Sequence, residues 1–343
     1  MKVRRQENGF LYRSRKVKGN ETLKIGIVAN MLQDKPLEEA LRIYKEMGIQ
    51  MIEPGCGGYA GKSHVDPHKL LHDPDALARF QKILQESGLS ISALSCHGNP
   101  IHPDAAMAKM YHEDMCDTVR LAGELGIDTI TCFSGCAGDS SQSKYPNWVT
   151  CSWPEDYLKI LEYQWEDVLI PYWKKFTEYA KAYGVTKIAL ELHPGFMVYN
   201  VDTLKRLRNA VGPEIGMNFD PSHLLWQGMD PVAVLRACKG MVYHVHAKDV
   251  RVDKYNTAVN GVLDTKHYSD EEHRSWIFRT VGYGNDADYW KDIFSELRKI
   301  GYDYVISIEH EDSLMNRFEG LRKAIAMIKG CGIFEEKTGM WWA

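Results

Sequence analysis

The chain is expected to be an α/β protein of the (β/α)8, or TIM-barrel, class. Three observations predict this. Short apolar, β-branched runs alternate with longer helical patterns from residue 24 almost to the end. The alternation repeats eight times with no linker-like composition between units, which implies one parallel sheet closed on itself. A doubly wound open sheet is the rival architecture, and both its dinucleotide turn, Gly-x-Gly-x-x-Gly after the first strand, and a P-loop are missing.

The first strand is read at Leu23–Ala29, followed by a helix with apolar positions Leu37, Leu41 and Tyr44 that Gly48 closes. Strand two is Ile49–Glu53, and a helix about Asp75–Ser87 stops at Gly88. Strand three is Leu89–Ser95, with a helix over Pro103–Leu125, and strand four is Thr129–Phe133. A polar, Gly/Ser/Trp-rich stretch then runs to about Pro154, too long for a routine βα connection, before a helical region leads to Gly184. The remaining strands are Lys187–Leu192, Ile215–Phe219, Met241–Val245 and Tyr304–Ile308, followed by helices near 202–211, 230–238, 286–299 and 315–329. A second insertion, expected to be irregular, spans about 250–283 after strand seven. The domain reading is a basic arm at 1–22, one barrel at 23–331 and a tail at 332–343.

The 343 residues carry a net charge of −4, which counts against nucleic acid as the main partner. The basic arm holds Lys2, Arg4, Arg5, Arg13, Arg15, Lys16 and Lys18, and no apolar run follows it, so it does not read as a secretory leader. No stretch is long and apolar enough to span a bilayer, and a cytoplasmic location is expected. The eight cysteines form no Cys-x-x-Cys pair and read as reduced, mostly buried small hydrophobes; Cys132 and Cys136 make a poor zinc signature.

In a parallel barrel the chemistry lies at the carboxyl ends of the strands. Those positions hold Glu53, His97, Ser134, Glu191, Asp220, His246 and Glu309. Unpaired burial of such groups costs several kcal/mol, roughly 2–7 even for an uncharged polar group, so packing alone does not explain them. Four come from strands five to eight in order: Glu191, Asp220, His246 and Glu309. Three carboxylates and an imidazole at one mouth suit a hard or borderline divalent cation; without one they would repel unless protonated or paired with Lys or Arg.

At these motifs the chain resembles the xylose-isomerase-like sugar isomerase/epimerase superfamily over residues 24–330. The resemblance rests on Ala-Leu-Glu191, Asp220-Pro-Ser-His223, His244-Val-His246-Ala-Lys248-Asp249 and Ser-Ile-Glu309-His-Glu, with Val281-Gly-Tyr-Gly284, Trp290 and Gly301-Tyr-Asp leading to the last strand. It implies that Glu191, Asp220, His246 and Glu309 hold one divalent metal, Mn2+ first, with Mg2+, Co2+ or Zn2+ as substitutes. It also implies that His223 contacts substrate oxygen. His244 and His246 point to one side of their strand, His244 deeper, so His246 is expected as the ligand. One departure stands out: Glu191-Leu-His193-Pro-Gly195-Phe196 has a histidine near the ligand, where ketose epimerases of this group have a further carboxylate. His193 is expected as a general base or a substrate contact, or else as a residue behind the ligands.

His97, on a glycine turn after strand three, is expected at the reacting centre with Glu191, Glu309 and His193. Glu53, Lys248 and Arg279 are expected to contact substrate with His223. Aromatics of the insertions, Trp148, Trp153, Trp226, Trp276, Phe278 and Tyr283, are read either as stacking surfaces for sugar rings or as subunit seals. The resemblance implies an enzyme that takes a proton from the carbon beside the carbonyl of a keto-sugar or oxo-glycoside. The outcome is then isomerisation, epimerisation, or elimination that cleaves a C–C or C–O glycosidic bond of a 3-oxo-glycoside. The motifs His-Gly-Asn-Pro, Glu-Leu-His-Pro-Gly-Phe and His-Ala-Lys-Asp are similar to those of C-glycoside deglycosidase catalytic subunits, which pair with a small β-sandwich partner. A homo-oligomer or such a hetero-oligomer is therefore implied. An endonuclease IV-like repair enzyme is a minor alternative, and the negative charge weighs against it.

Overall fold

The computed structural model describes residues 23–342; the basic arm at 1–22 lies outside them. The strands are β1 (Lys24–Val28), β2 (Met51–Glu53), β3 (Gly55–Gly58), β4 (Ser90–Ile91), β5 (Leu94–His97), β6 (Thr129–Cys132), β7 (Lys187–Glu191), β8 (Ile215–Phe219), β9 (Val242–Ala247), β10 (Asp249–Val252), β11 (Trp276–Arg279) and β12 (Val305–Ile308). Ten of them form one parallel sheet in the order β3-β5-β6-β7-β8-β9-β12-β1-β2-β4. Pro54 splits the second barrel strand into β2 and β3, and a break at Ser92-Ala93 splits the third into β4 and β5. Because β2 pairs with β4 and β3 with β5, the ends of that order meet and the barrel closes.

The predicted helices form close to their expected bounds, for example Leu37–Glu46, Pro74–Ser87, Ala105–Leu125 and Val201–Val211. Each presents an apolar stripe inward, such as Ala40, Leu41 and Tyr44 on the first, and glycines in the left-handed region (Gly48, Gly88, Gly126) end three of them. A helix at Pro67–His72 was not anticipated; Asp66 caps it and Pro67 opens it.

The two insertions are ordered by buried polar anchors. After β6, Asn99 exchanges two hydrogen bonds with the Cys136 backbone, at 2.8 and 2.9 Å. Gln164, in a π-helical turn at Tyr163–Leu169, donates to the carbonyls of Ala137, Gly138 and Asn147. Ser134, a candidate site residue by position, instead accepts the Val198 N–H at 2.9 Å and ties this loop to the next. The insertion after the seventh barrel strand is not irregular as expected. It is an antiparallel hairpin, β10–β11, with a short helix at Lys254–Asn260 between the strands. Asp249 holds its base: the buried carboxylate accepts from the backbone of Gly282, Gly284 and Asn285 and from the side chains of Asn285 and Trp290.

No helix among the described residues is long and apolar enough to cross a membrane. Replacing Asp249 with Ala should leave several buried N–H groups without acceptors and cost about 3 kcal/mol. Denaturant unfolding measures that loss, and limited proteolysis should show cleavage within 253–275 at concentrations that spare the parent protein.

Candidate metal centre at the barrel mouth

The four predicted ligands converge. One ligand atom each from Glu191, Asp220, His246 and Glu309 lies within 4.8 Å of the others. Glu191 ends β7, Asp220 follows β8 and His246 is on β9. Glu309 follows β12, so the carboxyl ends of four neighbouring parallel strands deliver these side chains to one mouth of the barrel. Asp220 also caps the short helix Pro221–Trp226, its Oδ1 accepting the Ser222 N–H at 2.8 Å, which leaves Oδ2 turned to the cluster.

His246 is the centre of the arrangement. Its Nδ1 lies 3.2 Å from Glu191 Oε2 and 3.0 Å from Glu309 Oε2, and its Nε2 lies 2.9 Å from Glu53 Oε2. A nitrogen lone pair facing two carboxylate oxygens is repulsive, so either a proton or a cation must lie there. Burial opposes charge on His246, but Glu53 and Glu309 outweigh it and hold the imidazole protonated well above its ordinary range. Among the described residues nothing hydrogen-bonds to Asp220 Oδ2 or Glu309 Oε2, although both atoms are buried. Burial raises the Asp220 carboxyl to about 6, against the pull of His223 and Lys248. Burial pushes Glu309 the same way, but Lys248 and His246 bring it to about 2. Orphaned carboxylate oxygens around an imidazole nitrogen are what a divalent cation satisfies, and the donor set fits one.

Above the cluster opens a cavity of about 530 Å3. Its wall includes His97, Glu191, His193, His246, Lys248 and Glu309 among the predicted site residues. His97 Nδ1 meets Ser95 Oγ at 2.8 Å and its Nε2 lies 3.4 Å from Glu191 Oε2; the carboxylate favours the tautomer with hydrogen on Nε2. A left-handed glycine places this histidine. Gly58, at φ +66°, lets Tyr59 donate to the His97 carbonyl at 2.6 Å, where a Cβ on Gly58 would lie 2.0 Å from that oxygen. His193 Nδ1 donates to the Pro194 carbonyl at 2.5 Å, leaving the Nε2 lone pair free. Burial, with His223 nearby, lowers its pKa to about 3, so the ring is neutral. The Lys248 ammonium sits 3.4 Å from Glu309, 2.5 Å from Glu311 and 4.2 Å above the Phe278 ring. Burial opposes its charge, and the two glutamates keep it protonated.

Three predicted substrate contacts lie elsewhere. Glu53 is fully buried under His246, held by Thr131 at 2.6 Å and Ser307 at 3.0 Å, because it stands at the top of the broken second strand and points into the barrel. His223 stays behind the wall, 3.2 Å from Glu191, 3.3 Å from Asp220 and 4.0 Å ring to ring from His193, which roofs it. Arg279 is paired with Asp312 at 3.1 Å and does not face the cavity, since β11 directs it back toward the last strand's loop. Sequence reading missed Asn30, Gln33, Tyr59, Phe133, Tyr268 and Glu311 as wall residues. Only Glu311 carried a signal, standing two residues beyond a ligand. Of the insertion aromatics, Phe278 lines the cavity, while Trp226 and Trp276 stack on each other at 4.5 Å beneath the hairpin.

The chain belongs to the xylose isomerase-like TIM barrel family, whose model matches residues 41–331. It is 41% identical over 310 residues to the uncharacterized protein YfiH of Bacillus subtilis strain 168, covering 90% of this chain and 98% of that one. An inosose dehydratase from Geobacillus thermodenitrificans strain NG80-2 is 27% identical over 176 residues, 50% of this chain and 56% of the relative. Among solved structures, the IOLI protein with a bound zinc atom matches with a TM-score of 0.60 at 19% identity, covering 90% of this chain and 97% of that one.

A divalent cation taken up at this candidate centre would have to displace the proton of His246 Nδ1. Binding near pH 7 should therefore release about one proton, and affinity should rise about tenfold per pH unit while His246 remains protonated in the metal-free protein. Calorimetry in buffers of different ionisation enthalpy measures this; binding without proton release would contradict the assignment. Glu309→Gln should weaken binding by more than the roughly 10–100-fold expected for loss of an outer partner.

Proposed function

We propose that this chain is a divalent-metal-dependent enzyme that removes the proton beside the carbonyl of an uncharged keto-sugar or cyclic keto-polyol, with elimination of a β-substituent as the outcome. The observation that carries the reading is the convergence of Glu191, Asp220 and Glu309 on His246 Nδ1 at the floor of the cavity. These four residues would hold the ion. When bound, it polarises the substrate carbonyl and stabilises negative charge on that oxygen.

The chain's own groups supply the rest. His193 Nε2, neutral and unpaired, accepts the proton from the α-carbon while the C–H electron pair moves toward the carbonyl oxygen. The Lys248 ammonium in the same wall favours the negative charge that builds there. As the electron pair returns, the bond to the β-substituent breaks and the proton taken by His193 passes to that leaving group, to which His97 Nε2–H in the same wall donates a hydrogen bond. Phe133 and Phe196, stacked at 4.1 Å, and Tyr268 against Phe278 form apolar flanks against which sugar C–H faces pack.

Two observations narrow the substrate and the outcome. Among the described residues no arginine is in the wall, and the one lysine there is already matched by Glu309 and Glu311, so a phosphate or carboxylate on the substrate would meet uncompensated negative charge. An imidazole, His193, stands near the strand-five ligand in place of a second carboxylate, and the inosose dehydratase relationship supports elimination of water over epimerisation. Expulsion of an aglycone from a 3-oxo-glycoside is the same step with a different leaving group.

The Mn2+-loaded protein in D2O should exchange the α-hydrogen of a neutral ketone such as an inosose, a ketohexose or a 3-oxo-glucoside, and lose water or aglycone from at least one. NMR and mass spectrometry read both events. Absence of exchange with all three, under Mn2+, Co2+, Mg2+ or Zn2+, would sink the proposal. Lys248→Met should lower kcat about 100-fold with the metal still bound.

A further inference from the structure

We infer that Glu53 is a positioning residue for the metal centre: from the opposite side of the barrel it holds the Nε2–H of His246 and so turns the Nδ1 lone pair toward Glu191, Asp220 and Glu309. The inference rests on the metal reading above and concerns what makes that site able to bind.

Hydrogen accounting leads there. Glu53 is wholly buried, and its two oxygens face three donors. Thr131 Oγ1 donates to Oε1 at 2.6 Å, Ser307 Oγ to Oε2 at 3.0 Å, and His246 Nε2 reaches Oε2 at 2.9 Å. An ionised carboxylate only accepts, so the hydrogen of this contact belongs to His246 Nε2. Once Nε2 is committed as donor, Nδ1 is the one ring nitrogen with a lone pair for an ion, and it is the nitrogen 3.0–3.2 Å from the Glu309 and Glu191 oxygens. The carboxylate behind the ring also makes the imidazole a stronger donor to a cation.

Glu53, His244 and His246 themselves lie close enough to be taken for a second ion site. The hydrogen-bond pattern argues against it. His244 has Nδ1 on Asn218 Oδ1 at 3.1 Å and Nε2 on Ser92 Oγ at 3.2 Å, with Glu53 Oε2 farther off at 3.7 Å, and both Glu53 oxygens already accept from Thr131, Ser307 and His246. Asn218 in turn donates from Nδ2 to Glu191 Oε2 at 3.3 Å. The floor is thus a support in which Glu53 orients the His246 ring and His244, through Asn218, steadies Glu191.

The test compares the full chain with Glu53→Gln, using Mn2+ and Zn2+ as probes. Calorimetry should show affinity about 10–100-fold weaker in the variant, with circular dichroism still that of a folded barrel. Nitrogen-15 NMR of histidine-labelled wild type loaded with Zn2+ should show His246 protonated at Nε2 and metal-bound at Nδ1. That assignment stands even if the variant fails to fold, and a general loss of stability would not produce it. Metal bound through Nε2, or Glu53→Gln binding within twofold of wild type, overturns the inference while leaving the metal site intact. A wild type that takes up neither ion overturns the metal reading as well.

Discussion

The structure is organised around one electrostatic conflict: buried carboxylate oxygens from two glutamates crowd a single imidazole nitrogen, with an aspartate beside them. Glu191 and Glu309 both lie within 3.2 Å of His246 Nδ1, and Asp220 and Glu309 each keep an oxygen without a hydrogen bond. Such a group stays folded only with positive charge inside it, and in a metal-free barrel the His246 proton supplies that charge. A divalent ion is a larger charge with room for more ligands, and under the proposed function it would replace the proton. The parallel barrel fixes the backbone positions from which these side chains cannot retreat.

Neighbouring groups follow from the same conflict. Lys248 balances Glu309 and Glu311 and is kept over Phe278. His193, pressed against His223 and Phe133, stays neutral because burial disfavours its charged form and the Lys248 ammonium is in the same wall. The site therefore keeps a permanent cation, a neutral acceptor and an anionic cluster apart within one cavity. Proton abstraction beside a carbonyl uses those three properties together. Around them, buried polar anchors (Asn99, Gln164 and Asp249) spend their hydrogen bonds on loop backbone, so the long insertions present fixed walls.

Much of this was readable from residue order. Alternating strand and helix patterns give eight units, and in a parallel barrel the residue after each strand faces the mouth. Glu191, Asp220, His246 and Glu309 could therefore be picked from position and chemistry alone. Lys248 and His193 followed because each stands two residues from one of them. The hairpin at β10–β11 was not readable as such, since its pairing joins Asp249 to Arg279 across an insertion with no tight-turn signature.

By itself, then, the sequence determined the barrel and which strand-end side chains converge at its mouth, because period and strand-end position are local properties of the chain. Which polar groups reach the cavity was decided only in three dimensions. Glu53 and His97 come from neighbouring strands with similar glycine-containing turns, yet one lies under His246 and the other in the wall. His223 and Arg279 are drawn away by Asp220, Glu191 and Asp312, while Tyr59, Phe133 and Tyr268 arrive from three separate loops. Those outcomes depend on which distant partner each side chain meets first, and no local pattern encodes a contact between residues 193 positions apart, as Glu53 and His246 are.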